Sequence, residues 1–217
     1  MAKIFVRLFL LTMVVITIHC NLTPLNNPKS PNIYYTLNDK PTAVFPQYYD
    51  IPVYIDKNFT KDEDQQIHQA LVNWNYALNG YTEYRVESYN FDLDIDVIKY
   101  IERTKNGLVI LKIDQYNTIL AKLKMTTSVL AFVPVIGSNY VYIITDRVYS
   151  NKCDLQSITM HEIGHTQGAV HRVEDRQNLM FPNANGVQCV DKETTTQIAE
   201  LHNYDILHMN YCFRDKE

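Results

Sequence analysis

The run His161-Glu162-Ile163-Gly164-His165-Thr166-Gln167-Gly168-Ala169-Val170-His171 decides how this chain is read. It has the form H-E-x-x-H-x-x-G-x-x-H. On a helix, residues four apart share one face, so His161 and His165 can reach one metal ion. Glu162 follows the first imidazole, where its carboxylate can face water held at that ion. Gly168 can adopt the left-handed conformation that ends a helix and lets the chain double back. His171 then brings a third imidazole. Three histidines leave the fourth position of a tetrahedral zinc open, which is the pattern of a catalytic site rather than a structural one.

The competing reading is an ordinary amphipathic helix with an exposed polar face. Ile158, His161, Glu162 and His165 fall at i, i+3, i+4 and i+7, where a core-facing stripe should be apolar. Three polar side chains on that stripe need a partner, and a metal provides one. The added glycine and third histidine make the pattern far more specific than H-E-x-x-H alone.

Met180 lies nine residues beyond His171, within Asn178-Leu179-Met180-Phe181-Pro182. Alone, a methionine is usually core filling. Placed here, the segment resembles the methionine turn of the metzincin zinc peptidases, in the form matrixins carry. Phe181 stands where the matrixin turn commonly has tyrosine, and it has no oxygen to offer a metal. The resemblance covers roughly positions 50 to 212. Ile51 to Asp56 resembles the family's first strand. Thr60 to Asn79 resembles its first long helix, with a Thr60/Glu63 capping box, apolar residues at helical spacing and Gly80 as a stop. Trp74-Asn75 matches a common pairing on that helix. Ser128 to Pro134 resembles the lead through the edge strand above the cleft, Asn139 to Thr145 reads as the next strand, and Asp154 is placed to cap the active-site helix.

The resemblance implies an α+β metzincin (zincin) fold: a twisted mixed sheet with a long first helix, an active-site helix and a C-terminal helix. It implies a zinc endopeptidase with one catalytic zinc on His161, His165 and His171, Glu162 as general base and Met180 beneath the ion. Water activated at the zinc would attack the peptide bond. The protein or peptide substrate would lie extended along Leu130, Ala131, Phe132 and Val133, adding a strand to the sheet edge. The loop from Asn183 to Val190 would shape the pocket beyond the scissile bond. The rival reading is an inactive zinc-binding surface protein or adhesin using the same cleft. The intact Glu162 speaks against it.

Composition agrees with one globular enzyme domain. The chain has 217 residues, and hydrophobic residues make up 46% of it, enough for one real core. A net charge of -4, without a basic patch or glycine-rich phosphate loop, excludes nucleic acid as an expected partner. A monomer is expected. The sixteen tyrosines read as strand and core-edge residues.

Lys3 and Arg7 precede an apolar run from Leu8 to Ile18, which is too short to span a bilayer and fits a signal peptide over 1–19. Export follows, with the protein either secreted or anchored at the envelope by a lipid on Cys20. Thr17-Ile18-His19 is an imperfect lipobox, so both fates stand, and a lipid is the only membrane link expected. Residues 20–46 are rich in Asn and Pro and read as a linker or short pro-segment before a catalytic domain at 47–217. Export favours a disulfide among Cys153, Cys189 and Cys212, and the sequence does not choose among the three pairings. His68, His202 and His208 read as surface or boundary residues of helices. Asp92, Asp94 and Asp96 share one face and could hold calcium. No glycine turn completes an EF-hand loop, so a solvated face is expected and calcium is not predicted.

Overall fold

The computed structural model describes residues 14–15, 49–91 and 107–212. The Asp92–Asp96 run lies outside them. The strands are β1 (Val14–Val15), β2 (Tyr49–Asp56), β3 (Thr82–Phe91), β4 (Leu108–Ile113), β5 (Ala131–Val133) and β6 (Tyr140–Ile144). The helices are α1 (Lys61–Leu78), α2 (Thr118–Lys122), α3 (Thr145–Ser150), α4 (Leu155–Thr166) and α5 (Lys192–His202), followed by a 3-10 turn at Ile206–His208. This is the expected α+β architecture. None of the described helices is long and apolar enough to cross a membrane.

The sheet order is β1-β5-β6-β4-β2-β3. β3, β2, β4 and β6 run parallel, while β5 is antiparallel to β6. β4 lies at the centre, and five of its six residues are buried, as a strand covered on both faces requires. Leu108 and Ile110 enter the main core, whereas Val109 and Leu111 face the other way and pack against Tyr54, Tyr140 and Tyr142. Several of the tyrosines therefore do line the strands, covering the sheet's second face.

α1 begins where the sequence reading places it. Thr60 accepts from the Glu63 N–H while the Thr60 N–H donates to the Glu63 carboxylate, closing the capping box. At the other end Asn79, not Gly80 alone, takes the left-handed turn, at φ 42°. Gly80 follows at φ 88°. Asparagine tolerates that region because its short side chain bonds locally. Here Asn79 Nδ2 reaches instead to the His208 carbonyl, at 2.6 Å. Trp74 is fully buried and donates its indole N–H to the Met160 carbonyl at 2.9 Å, joining α1 to α4. Its neighbour Asn75 bonds the backbone of Tyr84 in both directions, at 2.7 and 2.9 Å, and so fixes β3. The Trp-Asn pair thus ties one helix to a second helix and to a strand.

β5 is short, and its residues are buried. One edge pairs with β6, through Ala131 with Ile143 and Phe132 with Tyr142. On the other edge Val14 and Val15 lie antiparallel opposite Val133 and Phe132. Arg147 of α3, itself buried, donates to the carbonyls of Thr126 and Val129 at 2.8 and 2.9 Å. It holds the segment that leads into β5.

Candidate active site

α4 carries the first two histidines. Asp154 caps it, accepting from the Ser157 N–H at 2.6 Å, as its position predicts. Every residue from Ser157 to His165 is buried, so the helix lies between the sheet, α1 and the segment after it. Gly168 sits at φ 93°, a conformation that costs a glycine little. The chain reverses there, and the Ala169 N–H closes the turn on the Gly164 carbonyl at 3.0 Å. His171 then faces back towards α4. The Arg172 N–H bonds the Met180 carbonyl at 2.8 Å, which joins this return segment to the methionine turn.

The three Nε2 atoms converge. His161 and His165 are 3.0 Å apart, and each is 3.2 Å from His171. No other group of three His, Cys, Asp or Glu side chains among the described residues could hold a metal. His161 Nδ1 lies 2.7 Å from the Leu179 carbonyl and His165 Nδ1 lies 2.7 Å from the Ala169 carbonyl. A carbonyl only accepts, so both Nδ1 atoms carry the proton and both Nε2 atoms present lone pairs. Burial pushes His161 well below the usual imidazole value, helped by His165 and His171. Burial also lowers His165, to about 3, and it lowers His171. All three rings are therefore neutral near pH 7.

Neutral imidazoles whose lone pairs converge repel one another unless a cation stands between them. Nitrogen ligands about 2.0–2.1 Å from a tetrahedral zinc stand roughly 3.3 Å apart, close to the spacing here. The donor set fits zinc.

Glu162 is fully buried, and no protein group hydrogen-bonds either carboxylate oxygen. Burial pushes its carboxyl well above the usual value. Met180 is also fully buried, and its sulfur packs on Gly164, between the two helical histidines. A Cβ at Gly164 would stand 2.5 Å from that sulfur. Gly164 is thus needed because the methionine approaches so closely.

The sequence-predicted ligands, base, methionine and edge strand all belong to one region. Other residues that build it were not singled out by the sequence reading. Asp191 caps α5, and its carboxylate also accepts from the Leu179 N–H at 2.9 Å and from Asn178 Nδ2 at 2.9 Å. It therefore fixes the peptide segment whose carbonyl orients His161. The signal for the cap was present, as Asp191 stands three residues before Thr194. Its second bond, twelve residues back, leaves no mark in local sequence. The other histidines lie elsewhere. His68 is half-buried on α1, His202 ends α5 with Nε2 donating to the Gln167 carbonyl at 2.8 Å, and His208 lies in the 3-10 turn rather than in an α-helix. Of the three cysteine pairings, the structure forms Cys189–Cys212.

A family profile described as Matrixin matches residues 47–211. Among solved structures, metalloproteinase-II from Bacteroides fragilis is similar at 17% identity and a TM-score of 0.40, over 73% of this chain and 54% of that one. The chain therefore spans about half the length of that protein. None of the curated proteins compared matches the sequence.

Proposed function

The chain belongs to the matrixin family of zinc metallopeptidases, and from that premise we propose that it cleaves internal peptide bonds of proteins, with His161, His165 and His171 holding the metal and Glu162 as general base. The observation that carries this reading is the convergence of three imidazole nitrogens, 3.0–3.2 Å apart, on a helix that also carries a buried carboxylate without a protein partner.

When bound, zinc supplies a Lewis acid that polarises a carbonyl and acidifies water. The chain's own groups do the rest. The Leu179 and Ala169 carbonyls fix the tautomer and direction of two rings and raise their basicity as ligands. Glu162 accepts a proton from the attacking water and returns it to the leaving amine. The burial that raises its pKa brings its basicity closer to that task at neutral pH. The edge of β5 that pairs with Val14–Val15 aligns the substrate backbone, and that antiparallel pairing supports the idea that the edge accepts an extended chain. Met180 contributes packing beneath the rings.

The proposal extends to the ends of the domain. Residues 1–19 act as an export leader, 20–46 as a linker or short pro-segment and 47–217 as the catalytic unit, giving a secreted or lipid-anchored protein. The charged start and short apolar run support this. Removing the leader would also take Val14 and Val15 off the substrate edge. N-terminal sequencing of the mature protein tests it, and a chain still starting at Met1 would refute it.

The deciding experiment for the activity measures zinc content and chelator-reversible cleavage of a denatured protein, for the wild type and Glu162→Gln. The expected result is one zinc per chain in both and cleavage only in the wild type. The amide cannot accept the water proton, so the loss should exceed ~10²-fold. Zinc without any cleavage in the wild type would favour the binding-protein reading. Near-normal turnover in Glu162→Gln would remove Glu162 as the base.

A further inference from the structure

The turn between the second and third histidines is held from outside by groups that take no part in the proposed chemistry. α4 ends at Thr166, and Gln167 is its C-cap, one residue before the reversal at Gly168. This turn sets two candidate ligands. The Ala169 carbonyl holds the His165 ring at 2.7 Å, and the reversal returns His171 to within 3.2 Å of both other rings. A shift at Gln167 therefore reaches His165 and His171 together.

The first hold comes from β3. Gln167 is buried, and a buried amide needs a hydrogen-bond partner. Its Nε2 donates to the Tyr84 hydroxyl, and the Thr166 side chain reaches the same oxygen. Tyr84 is itself buried and is fixed at its backbone. Its N–H donates to Asn75 Oδ1 at 2.7 Å, and its carbonyl accepts from Asn75 Nδ2 at 2.9 Å. Burial pushes the Tyr84 phenol up to about 12, so the hydroxyl keeps its proton at neutral pH. A line of bonds thus runs from α1 through β3 to the end of α4.

The second hold comes from α5. A carbonyl at a helix end lacks an intrahelical partner. His202 Nε2 supplies one to Gln167 at 2.8 Å, with its ring stacked on Tyr204. On the same helix Gln197 Oε1 accepts from the Val170 N–H at 3.4 Å. Leu201 stands over Gly168, where a Cβ would meet its Cδ1 at 3.2 Å. The two holds meet at Gln167, whose side chain is on Tyr84 and whose carbonyl is on His202.

We propose that Gln167 is a positioning residue which, held by Tyr84 and His202, sets the geometry of His165 and His171 and so the affinity of the site for zinc. The proposal rests on the zinc reading above. Direction separates this role from packing. An apolar pair at 84 and 167 fills similar space, but only a hydrogen bond fixes how the end of α4 is turned.

The test uses the full-length protein as its host processes it, stripped of zinc and titrated with zinc against a chromophoric chelator. Urea unfolding of the zinc-free protein runs alongside. Gln167→Leu and Tyr84→Phe should each weaken zinc binding roughly fivefold or more, as loss of support behind a metal ligand does. Each leaves a buried polar group short of a partner, so both should also unfold at lower urea. The double variant Tyr84→Phe/Gln167→Leu removes both ends of the bond. It should regain most of the unfolding midpoint while zinc binding stays roughly fivefold weaker. His202→Ala, at an exposed side chain, leaves the pair intact and should weaken zinc binding roughly twofold or more. Where a single variant fails to fold, the double variant and His202→Ala decide. Unchanged zinc affinity in Gln167→Leu overturns the proposal. So does a double variant whose zinc affinity recovers with its stability, since the pair then only fills space. Unchanged affinity in His202→Ala removes α5 from the role. A wild type that binds no zinc overturns the metal reading and this one together, whereas a zinc-binding wild type with unaffected variants overturns this one alone.

Discussion

Each side chain at the centre is set by a neighbour that constrains it. Gly164 and Met180 form the tightest such pair, because a methyl group at 164 would meet the Met180 sulfur at 2.5 Å and a ring carbon of Trp74 at 3.4 Å. Overpacking of this kind typically costs about 1–3 kcal/mol. Gly164→Ala should therefore lower stability by that amount in urea unfolding. Met180→Leu nearly conserves volume and should cost less than about 1.5 kcal/mol while retaining activity. A neutral Gly164→Ala would mean that the sulfur does not rest on α4. The methionine was legible as a turn residue, but its contact with a glycine sixteen residues earlier was not. Packing distance is a property of two segments, and neither segment encodes it alone.

At the scale of elements, two carboxylates join distant segments while also capping helices. Asp191 begins α5 and holds the Leu179 peptide. Asp191→Ala should weaken zinc binding about 10- to 100-fold by competition titration, the range seen when the support of a metal-ligating histidine is lost. Asp191→Asn retains a capping oxygen and should recover part of that affinity. Unchanged zinc affinity in Asp191→Ala would confine this residue to its helix. Glu63 begins α1, and its carboxylate accepts from the Thr60 N–H at 2.6 Å and from Lys112 Nζ of β4 at 2.8 Å. Burial acts to raise its pKa, but the bonds and charge from Lys112 and the bond from Thr60 outweigh it, leaving the carboxyl below the ordinary 4.5. Folding thus favours the ionised form. The stabilisation is complete above pH 4.5 and is lost as pH falls through the folded value. Glu63→Gln should cost about 1.5–3 kcal/mol at pH 7. Urea unfolding at pH 7 and pH 3 should show the gap to the wild type narrowing in acid. A gap that stays constant would remove the ion pair as its cause. Thr60/Glu63 could be read as a capping box from spacing, whereas Lys112 could not, being 49 residues away.

Across the whole molecule, the candidate site stands where a short antiparallel strand, a buried helix and an irregular return segment meet. Few regular elements hold the segment from Gly168 to Asp191, so its anchors matter: the Arg172–Met180 backbone bond, the Asn185 side-chain bonds to the Arg176 and Asn178 carbonyls, and the Cys189–Cys212 disulfide. The disulfide spans 23 residues. Closing a loop of that size contributes about 3 kcal/mol on the chain-entropy estimate. Replacing both cysteines by serine should lower stability by about that amount and speed hydrogen exchange in residues 183–190. Unaltered exchange there would show that the loop is held by other contacts.

The proposed chemistry of this protein was legible in local sequence alone. Histidines four apart must share a helix face, a glycine permits the reversal, and a third histidine after it completes a candidate ligand set. The positions of α1, α4, β2, β5 and β6 were also readable, from caps, apolar periodicity and family resemblance, whereas β3, the central β4, α2 and α3 were not assigned. Tertiary structure decided what lies between segments: which carbonyls orient His161 and His165, which cysteines pair and why Gly164 must be small. The physical reason is range. Helix geometry and capping are short-range and leave periodic traces, while hydrogen bonds and close packing between segments depend on a path through space that no single stretch of chain records.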